Sequence, residues 1–263
     1  MATTAIRSEG PMVLPRAFAL LRLLAEEAQG LTLSVIAASL EAPKSSLSST
    51  LKALTEQGFL TRNGSLYFLG SESYSLASVI LAGRTIRQIA RPYLEKTMET
   101  CGETVLLATM ESDLRHFSYI DAVDSTKSVR YSVPIGSRRP LYATACGRLF
   151  LAYQSDVLQQ AYFENVALDR VTDITITDRP ALQAILRDIR QSGVSVTLGD
   201  FSNDAAGFAA PIFNSEGDLM AALVIGAPLS RGQREKDQYS AAVIQSARAI
   251  SKVLGHKEDR TAA

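Results

Sequence analysis

The stretch APKSSLSSTLKALTEQGFLTRNGSLYFL, residues 42–69, joins an amphipathic helix pattern to a tight hairpin pattern. Pro43 suits the first turn of a helix, where its missing N–H costs nothing. An apolar stripe for burial follows at helical spacing, at Leu47, Leu51 and Leu54. Gly58 is well placed to end the helix, since glycine readily adopts the left-handed backbone found there. The pattern predicts a short helix that is buried along one side.

The other side of this helix is small, hydroxylated and cationic. At about 100° per residue it carries Ser45, Ser48, Ser49 and Lys52. Such a surface can enter a DNA groove without steric bulk. Beyond the helix, two strand-like segments flank Arg62-Asn63-Gly64-Ser65, whose Asn-Gly pair is a strong hairpin signal. A helix followed by such a hairpin is the layout of a winged helix-turn-helix.

Two further helices are predicted upstream. The first has an apolar stripe comprising Leu14, Ala17, Phe18, Leu21, Leu24 and Ala25. After Gly30, Thr32 can cap a second, short helix. Its inward side would carry Leu33, Ile36, Ala37 and Leu40. This order of helices completes the helix-turn-helix unit.

The residues expected to contact DNA lie on the outward side and at the start of the third helix, on the hairpin and on the first helix. They are Arg16, Lys44, Ser45, Ser46, Ser48, Ser49, Lys52, Arg62 and Asn63. The charge balance of residues 1–75 argues against DNA binding, because six Lys or Arg are matched by six Glu. Two alternatives therefore stay open: a helical core with no DNA role, and a winged helix that binds other proteins.

The composition is that of a globular protein with room for two domains: 263 residues, 46% hydrophobic, 21% charged and formally neutral. No apolar run approaches the roughly 20 residues of a membrane span, and the N-terminus lacks the apolar segment of a secretory signal. We expect a cytoplasmic protein with no membrane partner. Cys101 and Cys146 make no metal-ligand pattern, so neither a metal nor another cofactor is expected.

A change of pattern after Tyr74 predicts a DNA-binding domain at residues 1–74, a linker helix at 75–91 and a second domain at 92–263. The linker helix carries an apolar stripe that is too long to leave in water. It comprises Leu76, Val79, Ile80 and Ile86. We expect this stripe to pair with its copy in a dimer.

Strands and helices that do not strictly alternate predict an α+β sheet domain in residues 102–229. The strand-like segments are TVLLATM, RHFSYIDAV, SVRYSVPI, GVSVTLG, FAAPIF and LMAALVIGAP. The helical patterns cover residues 144–153, 156–163, 180–192 and 231–254. Because residues 214–218 are typical of a hairpin turn, the last two strands are expected to be antiparallel neighbours.

The order and spacing of several motifs resemble the IclR-type bacterial transcriptional regulators from about Leu14 to Gly255. In the first part the motifs are RAFALLRLLA, GLTLSVIAASLEAPKSSLSSTLKALTEQGFL and YFLG. In the second part they are RPYLEKTMETCGETVLLATM, IGSRRPLYATACGRLFLA, IRQSGVSV and FAAPIFNSEGDLMAALVIGAP. The resemblance implies a winged helix-turn-helix, a linker helix and a GAF-like mixed α/β domain that binds a small-molecule effector. It also implies a homodimer or dimer of dimers that binds double-stranded DNA at palindromic operators.

The same resemblance implies which residues line the effector cavity: Ser128, Tyr131, Ala145, Cys146, Gly207, Val224 and Gly226. It places Asp200 near the mouth of the cavity. The chain departs from the family pattern on the third helix, where Ser46 and Ser49 stand in place of the usual Thr and Arg. The operator sequence cannot be inherited by analogy, because that Arg is a long donor to phosphate or guanine.

A carboxylate is the ligand group that best suits the helix start at Ala145, where N–H groups lack partners and the helix dipole favours negative charge. Apolar residues nearby favour an acid with a hydrophobic or aromatic body. Arg138 and Arg139 could steer an anion inward, although adjacent arginines in a loop are usually solvated.

An enzyme that uses Cys146 as a nucleophile is the alternative for the second domain. A catalytic cysteine needs a histidine base, and the chain offers only His116 and His256. One lies in a predicted strand and the other near the end of the last helix. We therefore expect no enzymatic activity.

Overall fold

The computed structural model describes residues 13–82 and 85–257, and the chain divides into two compact units after residue 84. The first unit contains α1 (Val13–Ala25), β1 (Leu31–Thr32), α2 (Leu33–Ser39), α3 (Lys44–Glu56), β2 (Leu60–Asn63), β3 (Leu66–Leu69) and α4 (Ser71–Ala82). The winged helix-turn-helix fold is confirmed: three helices precede a hairpin, and α3 stands directly before it.

The core of the first unit lies between α1, α2, α3 and β2. Its innermost side chains are Leu20, Leu24, Ile36, Leu47, Leu51 and Leu60. The predicted stripe on α1 was partly wrong, because Leu14 and Phe18 are each 68% exposed. The helix is apolar on most of its circumference, so spacing alone could not tell that the buried side is centred on Leu20.

Local signals at the ends of the helices are confirmed. The hydroxyl of Thr32 accepts a hydrogen bond from the amide of Val35 at 3.4 Å and so caps α2. Gly58 follows α3 with φ at +76°, a conformation that costs glycine little. These features fix the start of α2 and the exit from α3 toward the hairpin.

The hairpin of β2 and β3, called the wing below, forms one antiparallel sheet with β1 in the order β1-β3-β2. The Asn-Gly signal predicted the hairpin correctly but placed its turn one residue too early. Asn63 pairs with Leu66, so Gly64 and Ser65 form the turn and β2 continues through Arg62 and Asn63. Gly64 takes the left-handed conformation, with φ at +60°.

The second unit contains five helices of two turns or more, one shorter helix and six strands within the described residues. The elements are α5 (Ile86–Cys101), β4 (Thr104–Met110), β5 (His116–Val123), β6 (Arg138–Pro140), α6 (Ala145–Ala152), α7 (Asp156–Asn165), α8 (Arg179–Ser192), β7 (Ser195–Leu198), β8 (Ala205–Phe213), β9 (Leu219–Pro228), α9 (Leu229–Arg234) and α10 (Lys236–Val253). The α+β class predicted for this domain is confirmed.

The six strands form one antiparallel sheet in the order β6-β5-β4-β9-β8-β7. Its residues alternate between two cores, as the adjacent Leu106 and Leu107 do. One face packs against α6, α7 and α8, and the other against α5 and α10. The turn at residues 214–218 joins β8 to β9 as antiparallel neighbours, as predicted.

Three predicted segments differ from the structure. The segment SVRYSVPI, residues 128–135, is not a strand. Its backbone is held by side chains instead: Thr104 donates to the Tyr131 carbonyl at 2.5 Å, and Arg231 donates to the Val129 carbonyl at 2.7 Å. The helical pattern at 231–254 divides into α9 and α10. The pattern beginning at Ser75 divides into α4 and α5.

The apolar stripe predicted on the linker helix also divides. Ile86 begins α5 and is half-buried against the core of the second unit, apart from the other positions of the stripe. Leu76 and Val79 lie on α4 and are exposed. The side chain of Ile80 lies outside the described residues. Within the described part of the chain, no helix is both long and apolar enough to cross a membrane.

Candidate functional site

The outward side of α3 forms a polar surface on the first unit. Its exposed residues, called the recognition surface below, are Lys44, Ser45, Ser48, Ser49 and Lys52. The helix is held from behind by Leu47 and Leu51, whose side chains are fully buried. The structure therefore brings these predicted contact residues together on one exposed helix face.

Ser46 lies at the edge of this surface and is tied to α1. The guanidinium of Arg16 donates to the Ser46 hydroxyl at 2.8 Å, across 30 positions of the sequence. The Ser46 carbonyl accepts from the hydroxyl of Ser49 at 3.0 Å. Arg16 is thus positioned against the start of α3, which periodicity on α1 alone could not indicate.

The charged residues of the surface and the wing have weak or local partners. Lys52 lies 3.7 Å from Glu56, and both side chains are well exposed, so this ion pair contributes little. Arg62 donates through Nε to the Gly64 carbonyl at 2.8 Å and lies over the Tyr67 ring. These contacts orient Arg62 along the wing, and Asn63 is exposed beside it.

The second unit contains a cavity of about 260 Å³, called the effector cavity below. Its wall is formed by Tyr119, Tyr131, Ser132, Arg139, Thr144, Ala145, Cys146, Thr197, Phe201, Ser202, Ala205, Ala206, Gly207, Val224 and Gly226. The first turn of α6 therefore faces the middle strands of the sheet. The volume suits a small organic molecule rather than a nucleotide.

Most of the residues that the resemblance implied lie in this wall: Tyr131, Ala145, Cys146, Gly207, Val224 and Gly226. The structure does not bring the other two to it. Ser128 is exposed on the segment that leads to Tyr131. Asp200 is buried beside the wall residues Phe201 and Ser202, with its carboxylate turned to other partners.

At two positions in the wall of the cavity, a glycine allows neighbouring side chains to approach the backbone closely. A Cβ on Gly226 would lie 2.4 Å from the Tyr131 ring, far inside van der Waals contact. A Cβ on Gly207 would lie 3.2 Å from both the Ala145 methyl and the Thr197 hydroxyl. Larger residues at these positions would displace the wall or fill the space.

The first turn of α6 presents N–H donors to the cavity. The hydroxyl of Thr144 caps the helix and accepts from the Gly147 amide at 3.0 Å. The amides of Ala145 and Cys146 precede the first intrahelical bonds, so they have no partner within the helix. A negatively charged ligand group is favoured there by these donors and by the helix dipole.

A buried ion pair supports the wall behind α6. Arg148 lies 2.7 Å from the Asp200 carboxylate and donates to the Tyr142 carbonyl at 2.7 Å. Asp200 also accepts from the Leu198 amide, and its own carbonyl accepts from the hydroxyl of Thr175. The carboxylate predicted at the cavity mouth is therefore a partner of Arg148 and holds the segment that carries Phe201.

Burial raises the pKa of two groups in the wall of the cavity. Removal from water raises the pKa of the Cys146 thiol well above its usual value, so the thiol stays protonated. Burial, together with the neighbouring Tyr131, also raises the pKa of Tyr119 well above its usual value. The positive charge of Arg139 acts in the opposite direction on Tyr119 but does not outweigh them.

Neither histidine stands beside Cys146. His116 lies at the start of β5, where its Nδ1 is 2.8 Å from the exposed Asp113 carboxylate. His256 follows α10 and lies against the Phe213 ring. Among the described residues, no group of His, Cys, Asp and Glu is arranged to hold a metal ion.

Sequence reasoning missed several wall residues. Tyr119 could have been placed by the alternation of β5, since Phe117 and Tyr119 point to the same side. Thr197 on β7 and Phe201 in the loop after it gave no local signal, because the pairing of β7 with β8 brings this part of the chain to the cavity. Arg139 was expected in a loop, either steering an anion inward or solvated, whereas it belongs to β6 and lines the cavity.

Comparison with known proteins matches both units. Residues 13–64 match the family described as the IclR helix-turn-helix domain, and residues 79–252 match the bacterial transcriptional regulator IclR C-terminal domain. The chain is 30% identical to the HTH-type transcriptional regulator KipR of Bacillus subtilis, over 86% of this chain and 90% of that protein. It is 28% identical to the transcriptional repressor IclR of Escherichia coli, over 92% and 89%.

The fold is shared with solved structures. The repressor BlcR of Agobacterium tumefaciens superposes with a TM-score of 0.83 and 24% identity, covering 95% of this chain and all of that one. Together with the family matches, this likeness spans both the helix-turn-helix unit and the cavity-bearing unit. The chain therefore belongs to the IclR family of transcriptional regulators, with an N-terminal DNA-binding domain and a C-terminal ligand-binding domain.

Proposed function

We propose that this regulator binds palindromic operators as a homodimer or dimer of dimers, and that a small organic acid in the effector cavity changes its affinity for them. DNA contact is assigned to the recognition surface, Ser46, Arg16, Arg62 and Asn63. The observation that carries the assignment is the exposed Ser- and Lys-bearing side of α3 next to an arginine on the wing. A helix of this kind enters the major groove while the neighbouring residues contact phosphates.

Dimer formation is assigned to α4. Leu76 and Val79 are exposed on one side of this helix, and none of its side chains at residues 71–79 is buried. Isolated exposed apolar residues are ordinary, but a helix with exposed apolar residues and no buried side is expected to find a partner. A second copy of α4 supplies one by symmetry and also places two recognition surfaces at a fixed spacing.

The organic acid is favoured by the chemistry of the cavity. The first turn of α6 offers N–H donors, and Val224 and Tyr131 offer an apolar wall. Binding must stabilise one arrangement of the dimer over another, since a ligand shifts an equilibrium only by its differential affinity. With duplex DNA as its target, the protein is proposed to act in the cytoplasm.

The experiment is selection of duplexes from a random pool by the purified chain, followed by titration of the enriched duplex. We expect two inverted half-sites in the enriched sequences and an affinity that falls linearly with the logarithm of salt concentration. Organic acids are then added to the complex, and a saturable change in affinity is expected. A failure to enrich any sequence, or binding that is insensitive to salt, would contradict the DNA-binding assignment.

An enzymatic function has no observation in its favour at this site. The Cys146 thiol is held in its neutral form by burial, and the wall of the cavity contains no histidine in the described part of the chain. The relatives named above are regulators. The proposal therefore treats Cys146 as part of the wall that contacts the ligand.

A further inference from the structure

Two adjacent arginines on β6 point to opposite sides of the strand and have different partners. Arg138 donates to the Asp113 carboxylate at 2.7 Å on the outside of the domain. Arg139 lines the effector cavity, and its guanidinium lies 5.4 Å from the centre of the Phe201 ring. The alternation of side chains along a strand accounts for this division. One charge is already neutralised, and the other faces the cavity.

The guanidinium of Arg139 is incompletely satisfied. One terminal nitrogen donates to the Arg138 carbonyl at 3.0 Å. Its Nε is buried and has no hydrogen-bond partner among the described residues. A buried donor on a charged group is costly to leave unpaired, and native proteins satisfy nearly all such groups.

The protein itself offers no anion to complete the arrangement. Among the described residues, the wall of the cavity contains no Asp or Glu. The carboxylate of Asp200, the residue before Phe201, is occupied by Arg148 and the Leu198 amide. The hydroxyl of Tyr119 stays protonated, because burial and its neighbours raise its pKa. The polar side of the cavity is therefore cationic and rich in neutral hydroxyls.

We infer that Arg139 is the specificity-determining residue that selects organic acids over neutral molecules of similar shape, by binding the carboxylate inside the cavity. Phe201 holds the guanidinium plane, so less side-chain freedom is lost on binding. The remainder of the acid lies against the apolar wall at Val224 and Tyr131. This inference rests on the proposed function. It adds the residue that recognises the carboxylate of the effector.

The test compares matched acids and amides on the full-length protein. The probes are acetate, pyruvate and benzoate, with acetamide, pyruvamide and benzamide as neutral counterparts of nearly equal shape. Affinity is measured by calorimetry and by the shift of the thermal midpoint at pH 7.5. At least one acid is expected to bind, with its amide at least about tenfold weaker, because a charge-assisted hydrogen bond is lost.

Three variants assign the effect to one side chain. Arg139→Met is expected to bind that acid at least about tenfold more weakly and to bind the amide unchanged. Arg139→Lys is expected to recover part of the loss, since it restores the charge without the planar donor. Arg138→Met is the matched control, and it should bind the acid as the wild type does.

Several results would overturn the inference. These are equal affinity for an acid and its amide, undiminished acid binding by Arg139→Met, an equal loss in Arg138→Met, or no binding of any acid. The selected operator duplex separates this failure from that of the proposed function. If the acids fail but the chain still binds the duplex with a steep salt dependence, DNA binding stands and only the role of Arg139 is wrong.

Discussion

At Cys146 the surroundings, rather than the residue type, decide the chemistry. Burial raises the pKa of both free cysteines, Cys101 and Cys146. We therefore expect neither thiol to react with iodoacetamide at pH 8 in the folded protein and both to react after unfolding in guanidinium, as measured by intact mass. Cys146→Ser should keep the effector response, because the sulfur only lines the wall. Rapid labelling of folded Cys146 would instead indicate an activated nucleophile.

Ala145, the residue beside Cys146, can be used to test whether the effector cavity is the site that senses the ligand. Ala145 is buried in the wall, and its methyl group is close to Gly207 across the space. Ala145→Leu should fill that space, retain normal operator affinity and lose the effector response, as measured by titrating the acid into the operator complex.

Cys146→Ser is the matched control for Ala145→Leu, since it alters the adjacent wall residue with little change in volume. A leucine variant that responds fully to the acid would place the sensor elsewhere in the protein. Circular dichroism and the thermal midpoint report whether each variant is folded, so a loss of response can be attributed to the cavity.

Among the elements, the ion pairs of Glu103, the residue directly before β4, join the start of this strand to α9 and to the segment that carries Tyr131. The fully buried carboxylate accepts from Arg231 at 2.6 and 2.8 Å, from Lys127 at 2.8 Å and from the hydroxyl of Tyr239 at 3.1 Å. Burial alone would raise the pKa of Glu103, but the hydrogen bonds from Arg231 and Lys127 outweigh it and lower the pKa.

Glu103→Gln should therefore reduce the free energy of unfolding by about 3 kcal/mol at pH 7, because it leaves cationic partners uncompensated. Since the folded pKa is lower than the unfolded one, the carboxylate stabilises the fold above about pH 4.5 and loses this effect as the pH falls further. Denaturant unfolding from pH 7 to pH 3 should show a flatter pH dependence in Glu103→Gln than in the wild type.

Glu95→Gln serves as the control for Glu103→Gln. It removes a carboxylate whose pair with Arg91 is about half exposed on both sides, so a change of less than about 0.5 kcal/mol is expected. Parallel pH profiles for the wild type and Glu103→Gln would show that Glu103 does not contribute through its charge.

The recognition surface and the wing can be tested through the salt dependence of DNA binding. Lys52→Ala and Arg62→Ala should each weaken operator binding and reduce the slope of log affinity against log salt by about one unit, if each contacts a phosphate. Fluorescence anisotropy at four salt concentrations measures the slope. Lys96→Ala, an exposed lysine on α5, is the control and should leave the slope unchanged. Unaltered slopes for both test variants would remove Lys52 and Arg62 from the interface.

Some elements are determined by a local sequence pattern and others by pairing with a distant segment. Only elements of the first kind could be predicted from the sequence. TVLLATM and LMAALVIGAP became β4 and β9 at the expected residues, because continuous apolar runs bounded by turn residues suit strands buried on both faces. The segment at Arg138 carries no strand pattern and is a strand only through pairing with β5. SVRYSVPI has the pattern but no neighbouring strand, and side chains satisfy its backbone instead.

The two candidate sites also differ in how far the sequence alone predicts them. The outward side of α3 follows from helical spacing alone, so Ser45, Ser48, Ser49 and Lys52 could be placed before the fold was known. The cavity is assembled from five strands, β5 to β9, together with α6 and the loops beside them, and no spacing within one segment indicates it. The inward direction of Arg139 and the pairing of Asp200 with Arg148 depend on those long-range contacts.

At the scale of the whole molecule, the proposed dimer would hold two recognition surfaces at a set distance. In that dimer a second copy would cover the apolar positions on α4, where Val79 is 69% exposed. Val79→Glu should place a charge in that contact and yield a weaker dimer. Sedimentation over a range of protein concentrations measures the dissociation constant of the dimer directly.

Operator binding should change together with the dimer. Two half-sites held by one rigid pair bind with an affinity that exceeds the single contact by a factor of 100 or more, on the order expected from effective concentration. Val79→Glu should therefore weaken binding to the selected palindrome about 100-fold and leave binding to an isolated half-site unchanged. Ser78→Glu, on the side of α4 turned away from Leu76, is the charge-matched control and should behave as the wild type. If Val79→Glu remains a stable dimer with normal affinity for the palindrome, α4 does not form the interface, and the spacing of the half-sites must be set by another surface of the molecule.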